Sequence, residues 1–308
     1  ATSGSTDADN RAAGPEPLAE PACDALSCTM ARLVSWPMQP GDIGACTVGA
    51  AIGLVDTGIN PEHEALAGSN LTLLPFAVER EGSRGSSRQH GTAVAAIILA
   101  SAKSRAPGLI PDASVYAVDA FRRHSVSGVS DERADAFTLI RAMDRVASEP
   151  IAVLNLSLSG PPNTALEAMI EGITRDIVVV AAVGNAGPRS KPAYPAAYPG
   201  VIGVTAVSHT ERIFRRAGQG AHVDLAAPGV EVWTAASVRG VKPKTGTSFA
   251  TPFVTAAVAM LAADGEVPGA EATLTALSTH AKELGAEGRD DVFGHGLLQA
   301  GNYCQPSG

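Results

Sequence analysis

The chain has 308 residues, of which 45% are hydrophobic and 18% are charged, and its formal net charge is −8 at pH 7. This length can bury a large core, and the low charged fraction excludes a disordered, solvating protein. No run of Lys and Arg indicates a nucleic-acid surface, and no stretch of 18 or more apolar residues predicts a membrane span. We therefore expect a globular protein whose acidity serves solubility.

The first part of the chain differs in composition from the rest. Residues 1–30 are rich in Ala, Gly, Pro, Ser and Asp, which predicts a flexible lead-in. Residues 31–46 carry scattered apolar side chains, including Trp36, and we expect them to pack as an extension on the main domain. The sequence thus predicts one domain over residues 31–308, with its core at about 47–300.

Apolar strands and helices alternate from residue 47 onward. Strands are predicted for segments 47–56, 114–121, 151–159, 176–185, 201–208 and 222–229, and helices for segments 90–102, 131–148, 164–175 and 248–263. In the second helix, Phe137, Ile140, Met143 and Val146 are expected to form the buried stripe. Continuous apolar strands alternating with helices predict an α/β fold whose parallel sheet is buried on both faces.

Four cysteines are present: Cys23, Cys28, Cys46 and Cys304. Their spacing is not that of a zinc site, and no His accompanies them closely. Two disulfides in an exported protein are the preferred interpretation, with three connectivities open. Four free thiols in a cytosolic protein are the alternative.

A serine at the start of the last predicted helix is a candidate nucleophile. Ser248 follows Gly246 in the segment GTSFATP, so its hydroxyl and its own N–H lie in the first helical turn. That N–H and the helix dipole can stabilise a developing oxyanion. Pro252 is expected in the first turn of this helix rather than in its interior.

Three further residues complete a catalytic pattern. His90 begins another helix in the segment HGT, and histidine is a suitable base for a serine hydroxyl near neutral pH. Asp56 ends a strand and can fix the tautomer of the imidazole. Asn185 follows a strand, and its side-chain amide can donate to an oxyanion.

Each of these residues also has an ordinary structural interpretation. Ser248 could be a helix N-cap, His90 a structural residue at a helix start, and Asp56 and Asn185 turn residues beside glycines. Any one of these motifs alone is weak evidence. Their order along the chain decides between the interpretations, because Asp, His and Ser follow one another as they do in subtilisin.

The segments around these residues resemble the subtilisin-like serine protease (subtilase) family. They are DTGI, HGTAVA, NLSLSG, AAVGNAG, AYPAAYPGVIGVTAV, DLAAPG and GTSFATP, in this order between roughly residues 48 and 263. The resemblance implies a three-layer subtilisin-like α/β fold with a mostly parallel central sheet. It implies a serine endopeptidase that hydrolyses peptide bonds through an acyl-enzyme intermediate, with Asp56, His90 and Ser248 as the triad and Asn185 and the Ser248 N–H as the oxyanion hole.

The resemblance also implies further properties. The partners are protein or peptide substrates, with a propeptide or a protein inhibitor as candidates, and no nucleic acid. The chain is expected to be an exported monomer that needs no cofactor. Relatives are usually made with a propeptide, and residues 1–30 are too short to be one, so we expect either that a propeptide was removed or that this member folds without one.

Substrate-binding segments follow from the same resemblance. Extended pairing and the walls and floor of the S1 pocket are expected to involve Ser127, Gly128, Val129, Ser157, Leu158, Ser159, Gly160, Ala182, Val183, Gly184 and Ala193. Ala193 stands at the pocket floor, where relatives have glycine, which predicts preference for uncharged, medium-sized apolar P1 residues. Ala93 and Ala96 likewise replace the His and Gly of relatives, and both are small enough to preserve packing.

Many relatives bind calcium in a loop after the helix that begins with the catalytic histidine. Here that loop contains Lys103 and Arg105 instead of acidic ligands, and Glu64 alone does not make a site. No strong calcium site, and no other metal site, is expected.

Two other functions remain open from the residues. One is a binding protein on an inactive protease scaffold, against which the presence of all four chemical residues argues. The other is an esterase of the α/β-hydrolase type, which would need a GxSxG elbow and the order Ser, Asp, His. Here the candidate serine lies in GTSFATP and comes last, which argues against that fold.

Overall fold

The computed structural model describes residues 27–37, 50–76, 84–126, 129–262, 268–301 and 303. The helices in these ranges are α1 (Cys28–Leu33), α2 (Gln89–Leu99), α3 (Ala136–Ala147), α4 (Thr164–Ile173), α5 (Thr247–Leu261) and α6 (Ala270–Thr279). The strands are β1 (Ala51–Asp56), β2 (Leu71–Leu73), β3 (Arg84–Gly85), β4 (Val115–Asp119), β5 (Arg122–Val126), β6 (Val129–Arg133), β7 (Ile151–Leu156), β8 (Val178–Ala182), β9 (Val201–Val207), β10 (Leu225–Pro228), β11 (Val232–Ala235) and β12 (Val241–Lys244).

A seven-stranded sheet forms the centre, in the order β10-β9-β8-β7-β1-β4-β2, with every neighbouring pair parallel. Side chains along each strand alternate between two cores, as the period of two requires. In β1, Ile52 and Leu54 pack with α2 and α5, whereas Ala51 and Val55 pack with α3 and α4. The predicted three-layer α/β fold with a parallel sheet is confirmed, and all the carboxyl ends of its strands lie along one edge.

Smaller antiparallel elements were not predicted from the sequence. Strands β3, β5 and β6 form one sheet, and β11 pairs with β12. These strands are short and partly polar, so they lack the apolar runs that indicated the central sheet. No helix in the described ranges is long and apolar enough to cross a membrane.

Helix α3 differs from its prediction at its start and in its buried face. It begins at Ala136, after the N-cap Asp135, whose side chain accepts a hydrogen bond from the Thr138 N–H, and residues 131–133 belong to β6. Phe137 is 68% exposed, so its place in the predicted stripe is wrong. Three successive steps of three residues rotate a side chain by about 180° around a helix. Phe137 therefore lies opposite the buried Val146.

The N-terminal extension packs on the core in its described part. Helix α1 crosses the predicted boundary at residue 30 and buries Met30. Trp36 is 5% exposed, and its Nε1 donates a hydrogen bond to the Leu109 carbonyl at 2.9 Å. The Ala300 N–H donates to the Val34 carbonyl, which ties this segment to the C-terminal part. The domain boundaries at 30 and 46 stay predictions.

Cys28 is the one cysteine within the described ranges. It is buried in α1 and is not a free thiol. Because Cys23, Cys46 and Cys304 lie outside these ranges, the predicted disulfides stay a prediction.

We expect Trp36→Ala to lower the free energy of unfolding by about 3–5 kcal/mol, because it removes a buried aromatic side chain and leaves the Leu109 carbonyl unpaired. The measurement is denaturant unfolding in a Ser248→Ala background, chosen because the family resemblance implies that Ser248 is a protease nucleophile. Val238→Ala is the control, since Val238 is 71% exposed and its loss should cost less than about 0.5 kcal/mol. Equal losses for both variants would contradict the packing of the extension.

Candidate active site

The candidate residues lie at the carboxyl edge of the central sheet, where parallel α/β proteins place their sites. Asp56 is the last residue of β1 and is 2% exposed. Its Oδ1 lies 2.7 Å from the Nδ1 of His90 and also accepts a hydrogen bond from the Thr57 N–H at 2.6 Å. Because a carboxylate can only accept, His90 donates through Nδ1, and its Nε2 is left as an acceptor.

A close approach of α2 to the end of β1 places His90 beside Asp56. The Gly91 N–H donates to the Thr57 Oγ1 at 2.8 Å. A Cβ at Gly91 would lie only 2.2 Å from the Thr57 carbonyl oxygen, so a larger residue would push the helix away. Steric contact with the end of β1 therefore restricts the position after the histidine to glycine.

The charge surroundings of His90 favour its protonated form. Burial lowers the pKa of His90, but the Asp56 carboxylate raises it through its charge and its hydrogen bond. The more distant Lys244 lowers this pKa and Glu132 raises it. The net result is a pKa above the ordinary value of 6.5.

Ser248 is the second residue of α5 and is 9% exposed. As a residue of the first turn, it contributes an N–H without an intrahelical acceptor. Pro252 lies inside the helix, four residues later, which corrects the expectation of a first-turn proline. Since proline has no N–H, the Ser248 carbonyl lacks its helical donor. The Ser157 hydroxyl supplies one at 2.7 Å, which is why the proline is tolerated.

A buried chain of hydrogen bonds extends from this contact. The Asn155 Nδ2 donates to the Ser157 Oγ at 3.0 Å, and the Thr255 hydroxyl donates to the Asn155 Oδ1 at 2.9 Å. All of these side chains are buried. The chain joins the end of β7 to α5 at two points about two helical turns apart and fixes the helix start that carries Ser248.

Asn185 lies three residues beyond β8 and is held from α5. Its Oδ1 accepts from the N–H of Thr247 at 3.0 Å and from the hydroxyl of the same residue at 3.2 Å. The amide oxygen is therefore committed, and the Nδ2 group is left as the donor. This places an amide donor next to the residue that precedes Ser248.

The structure brings His90 to the start of α5. The rings of His90 and Phe249 have their centroids 5.3 Å apart. Within the described part of the chain, no hydrogen bond joins the His90 Nε2 to the Ser248 hydroxyl. Catalytic contacts of this kind commonly tighten only when substrate is bound.

Several predicted pocket residues come together beside this site. Gly184 has a φ of +90°, and a Cβ there would lie 3.0 Å from the Ala193 Cβ and 3.5 Å from the Ser159 Oγ. Gly160 exchanges two backbone hydrogen bonds with Tyr194, at 2.8 and 3.0 Å. The backbone groups of Gly160 are thus already paired.

The remaining predicted substrate residues lie at different places. Ala182 ends β8 and is buried, as is Val183 after it. Leu158 is partly buried against the core on the α3 side. Val129 begins β6, whereas Ser127 and Gly128 lie outside the described residues.

Sequence reasoning missed the residues that hold the candidate groups in place. They are Thr57, Asn155, Thr247, Thr255 and Phe249. A polar Asn155 within an apolar strand was a usable signal, because a buried amide requires partners. Its partner Thr255 lies 100 residues away, and no local pattern identifies it.

Within the described ranges, no group of three or more His, Cys, Asp or Glu residues could hold a metal ion. Glu64, considered above as an isolated calcium ligand, accepts a hydrogen bond from the Gly240 N–H. The absence of a strong calcium site stays a prediction.

Comparisons with known proteins identify the family of the chain. The family model of the subtilase family, Peptidase_S8, matches residues 47–296. The chain therefore belongs to the subtilase family, and membership of this family implies serine endopeptidase activity. Among solved structures, a cold adapted subtilisin-like serine proteinase aligns with a TM-score of 0.68 at 26% identity, over 82% of this chain and 89% of that one.

Particular relatives differ in how much of their length is matched. Subtilisin DY of Bacillus licheniformis is 30% identical over 255 residues, 80% of this chain and 88% of the relative. Thermitase of Thermoactinomyces vulgaris is 32% identical over 221 residues, 70% of this chain and 76% of the relative. The minor extracellular protease Epr of Bacillus subtilis is 27% identical, and the chain spans only 37% of its length.

The raised pKa of His90 predicts the acid limit of peptidase activity. Below this pKa the ring is protonated and cannot take a proton from a serine, so kcat/KM should fall as the pH is lowered, with its half-point above 6.5. Glu132→Gln should move the half-point down and Lys244→Gln should move it up, each by a few tenths of a pH unit. The measurement is the pH profile of kcat/KM for an uncharged peptide. Shifts of the opposite sign would refute the assignment of these charges.

Proposed function

We propose that the chain is a serine endopeptidase in which Ser248 is the nucleophile, His90 the general base and Asp56 the group that orients the imidazole. The observation that carries this proposal is the 2.7 Å contact between the Asp56 Oδ1 and the His90 Nδ1, at the sheet edge where α5 begins. It leaves the His90 Nε2 as an acceptor beside the helix that bears the serine.

The reaction proceeds in two halves. The Ser248 hydroxyl attacks the peptide carbonyl carbon while His90 takes its proton, and the tetrahedral intermediate collapses as His90 gives that proton to the leaving amine. Water then attacks the acyl-enzyme ester with His90 again as base, and the peptide acid leaves as Ser248 regains its proton. Asp56 stabilises the imidazolium at each stage without itself taking a proton.

The oxyanion is held by two donors in this proposal. One is the Ser248 N–H in the first turn of α5, where the helix dipole favours negative charge. The other is the Asn185 Nδ2, whose orientation follows from the bonds of its oxygen to Thr247. Donors fixed in advance stabilise the transition state without reorganising during the reaction.

The substrate would lie extended between residues 127–129 and residues 157–160, with its P1 side chain in a pocket bordered by residues 182–184 and Ala193. A Cβ at Gly184 would lie 3.0 Å from the Ala193 Cβ, so little space separates these two residues. This supports preference for uncharged, medium-sized apolar P1 residues. Because Gly160 is paired with Tyr194, we assign main-chain pairing with substrate to the residues before it.

We also propose that the chain is an exported monomer with disulfide bonds and without a cofactor. Relatives include a protein named as a minor extracellular protease. Cys28 is buried and not free, which supports a disulfide.

An active-site serine probe tests the nucleophile. A fluorophosphonate should label the intact protein at Ser248, because only an activated hydroxyl reacts, and Ser248→Ala should abolish labelling. Peptide mapping by mass spectrometry locates the adduct, and Ser190→Ala, which removes a serine from the loop after Asn185, serves as the matched control. Folded protein that is neither labelled nor able to hydrolyse peptides would instead be a binding protein on a protease scaffold.

Asn185→Ala tests the second oxyanion donor. The expected loss in kcat is about 10²–10³-fold, a magnitude measured for an oxyanion-hole asparagine in subtilisin and taken over from that enzyme. KM should change little, because the donor acts mainly in the transition state. Steady-state kinetics provide the measurement, with the exposed Asn70→Ala as control. A loss confined to KM would remove Asn185 from the oxyanion hole.

A further inference from the structure

Two cationic side chains flank the proposed catalytic residues. The Arg216 Nε donates a hydrogen bond to the Asn185 carbonyl at 3.2 Å, and this side chain is otherwise exposed. The Lys244 Nζ lies 5.9 Å from the ring centroid of Phe249, whose ring in turn packs beside His90. Arg216 therefore contacts the proposed oxyanion donor directly, whereas Lys244 is separated from His90 by the Phe249 ring.

Neither cation has an acidic partner among the residues that the structure describes. The ion pairs in these ranges involve other basic side chains. Glu132, a second acid beside Asp56 whose charge reaches His90, is bonded to the Ser87 N–H and hydroxyl. In a chain whose net charge is −8, Lys244 and Arg216 thus carry positive charges that no ion pair within the described ranges neutralises.

Lys244 also lies close to a second ammonium group. Burial lowers the pKa of Lys244, and the charge of the neighbouring Lys242 lowers it further. Repulsion between two cations is relieved when a carboxylate binds between or beside them. Binding of an anion beside these two lysines is therefore more favourable than binding of a neutral ligand.

The position of Lys244 assigns the bound carboxylate to one side of the scissile bond. The proposed acyl side of the substrate lies along residues 157–160, 182–184 and Ala193. Lys244 lies instead against Phe249, beside the imidazole that protonates the leaving amine.

We propose that Lys244 binds a carboxylate in the leaving-group part of the substrate, so that the enzyme prefers Asp or Glu within the first residues after the scissile bond. This inference rests on the proposed function. The expected substrates are peptides with an acidic residue on the carboxyl-terminal side of the scissile bond. This preference is separate from the preference of the P1 pocket for apolar residues.

Matched fluorogenic peptides test the preference. They share one apolar P1 residue and carry Glu, Gln or Lys at each of the first three positions after the scissile bond. We expect kcat/KM for the best Glu peptide to exceed that of its Gln counterpart by about three- to tenfold at low salt, and this ratio to fall toward one as ionic strength rises. The Lys peptide should be the poorest of the three.

Variants assign the preference to Lys244. Lys244→Gln should reduce the Glu-to-Gln ratio, Arg216→Gln should reduce it less because that side chain contacts Asn185 instead, and Lys244→Glu should invert it in favour of Lys peptides. Lys103→Gln, an exposed lysine beyond the far end of α2, should leave the ratio unchanged. A change in fold or in general activity would alter all peptides alike and would not move the ratio.

The outcomes separate this inference from the function on which it depends. Efficient hydrolysis of all three peptides with a Glu-to-Gln ratio of one or less overturns the inference and leaves the endopeptidase standing. A ratio above one that stays unchanged in Lys244→Gln also overturns it. Absence of hydrolysis of every peptide, together with absence of fluorophosphonate labelling at Ser248, overturns the function and the inference with it.

Discussion

The hydrogen bond from the Ser157 hydroxyl to the Ser248 carbonyl is the contact on which the proposed site depends. Pro252 deprives that carbonyl of its helical donor, and an unpaired buried carbonyl would cost about 1–3 kcal/mol. Ser157 removes this penalty only if β7 and the start of α5 are held in one fixed relation. Because of the proline, the free carbonyl is available for a hydrogen bond that connects the sheet to the helix bearing the proposed nucleophile.

The other side of the site is fixed by short-range geometry rather than by a proline. Asp56 at the end of β1 and Gly91 in α2 allow the imidazole to approach the carboxylate closely. Asn185 is in turn attached to Thr247 in α5. Each of the four proposed groups is therefore bonded to, or directly beside, a residue of another element, and the sheet edge gives all of them a common frame.

The sequence predicted the fold well because the central strands and helices carry long apolar runs. The same reasoning failed at α3, where a stripe with a strict spacing of three drifts around the helix and leaves Phe137 exposed. It also failed for the pairs β5–β6 and β11–β12, whose strands are short and in part polar, so that no long apolar run indicates them. The proposed triad residues were found from short motifs, whereas their supports, such as Asn155 and Thr255, depend on contacts across about a hundred residues that no motif records.

Helix α5 is enclosed on nearly every side, since only its last residue, Leu261, is more than slightly accessible. A helix that is apolar on all sides is unstable in water by itself. It becomes stable only when the sheet and α2 cover its apolar surface. The nucleophile segment should consequently belong to the last cooperative unit to be lost on unfolding. Amide protons of α5 would then exchange only through global opening of the molecule.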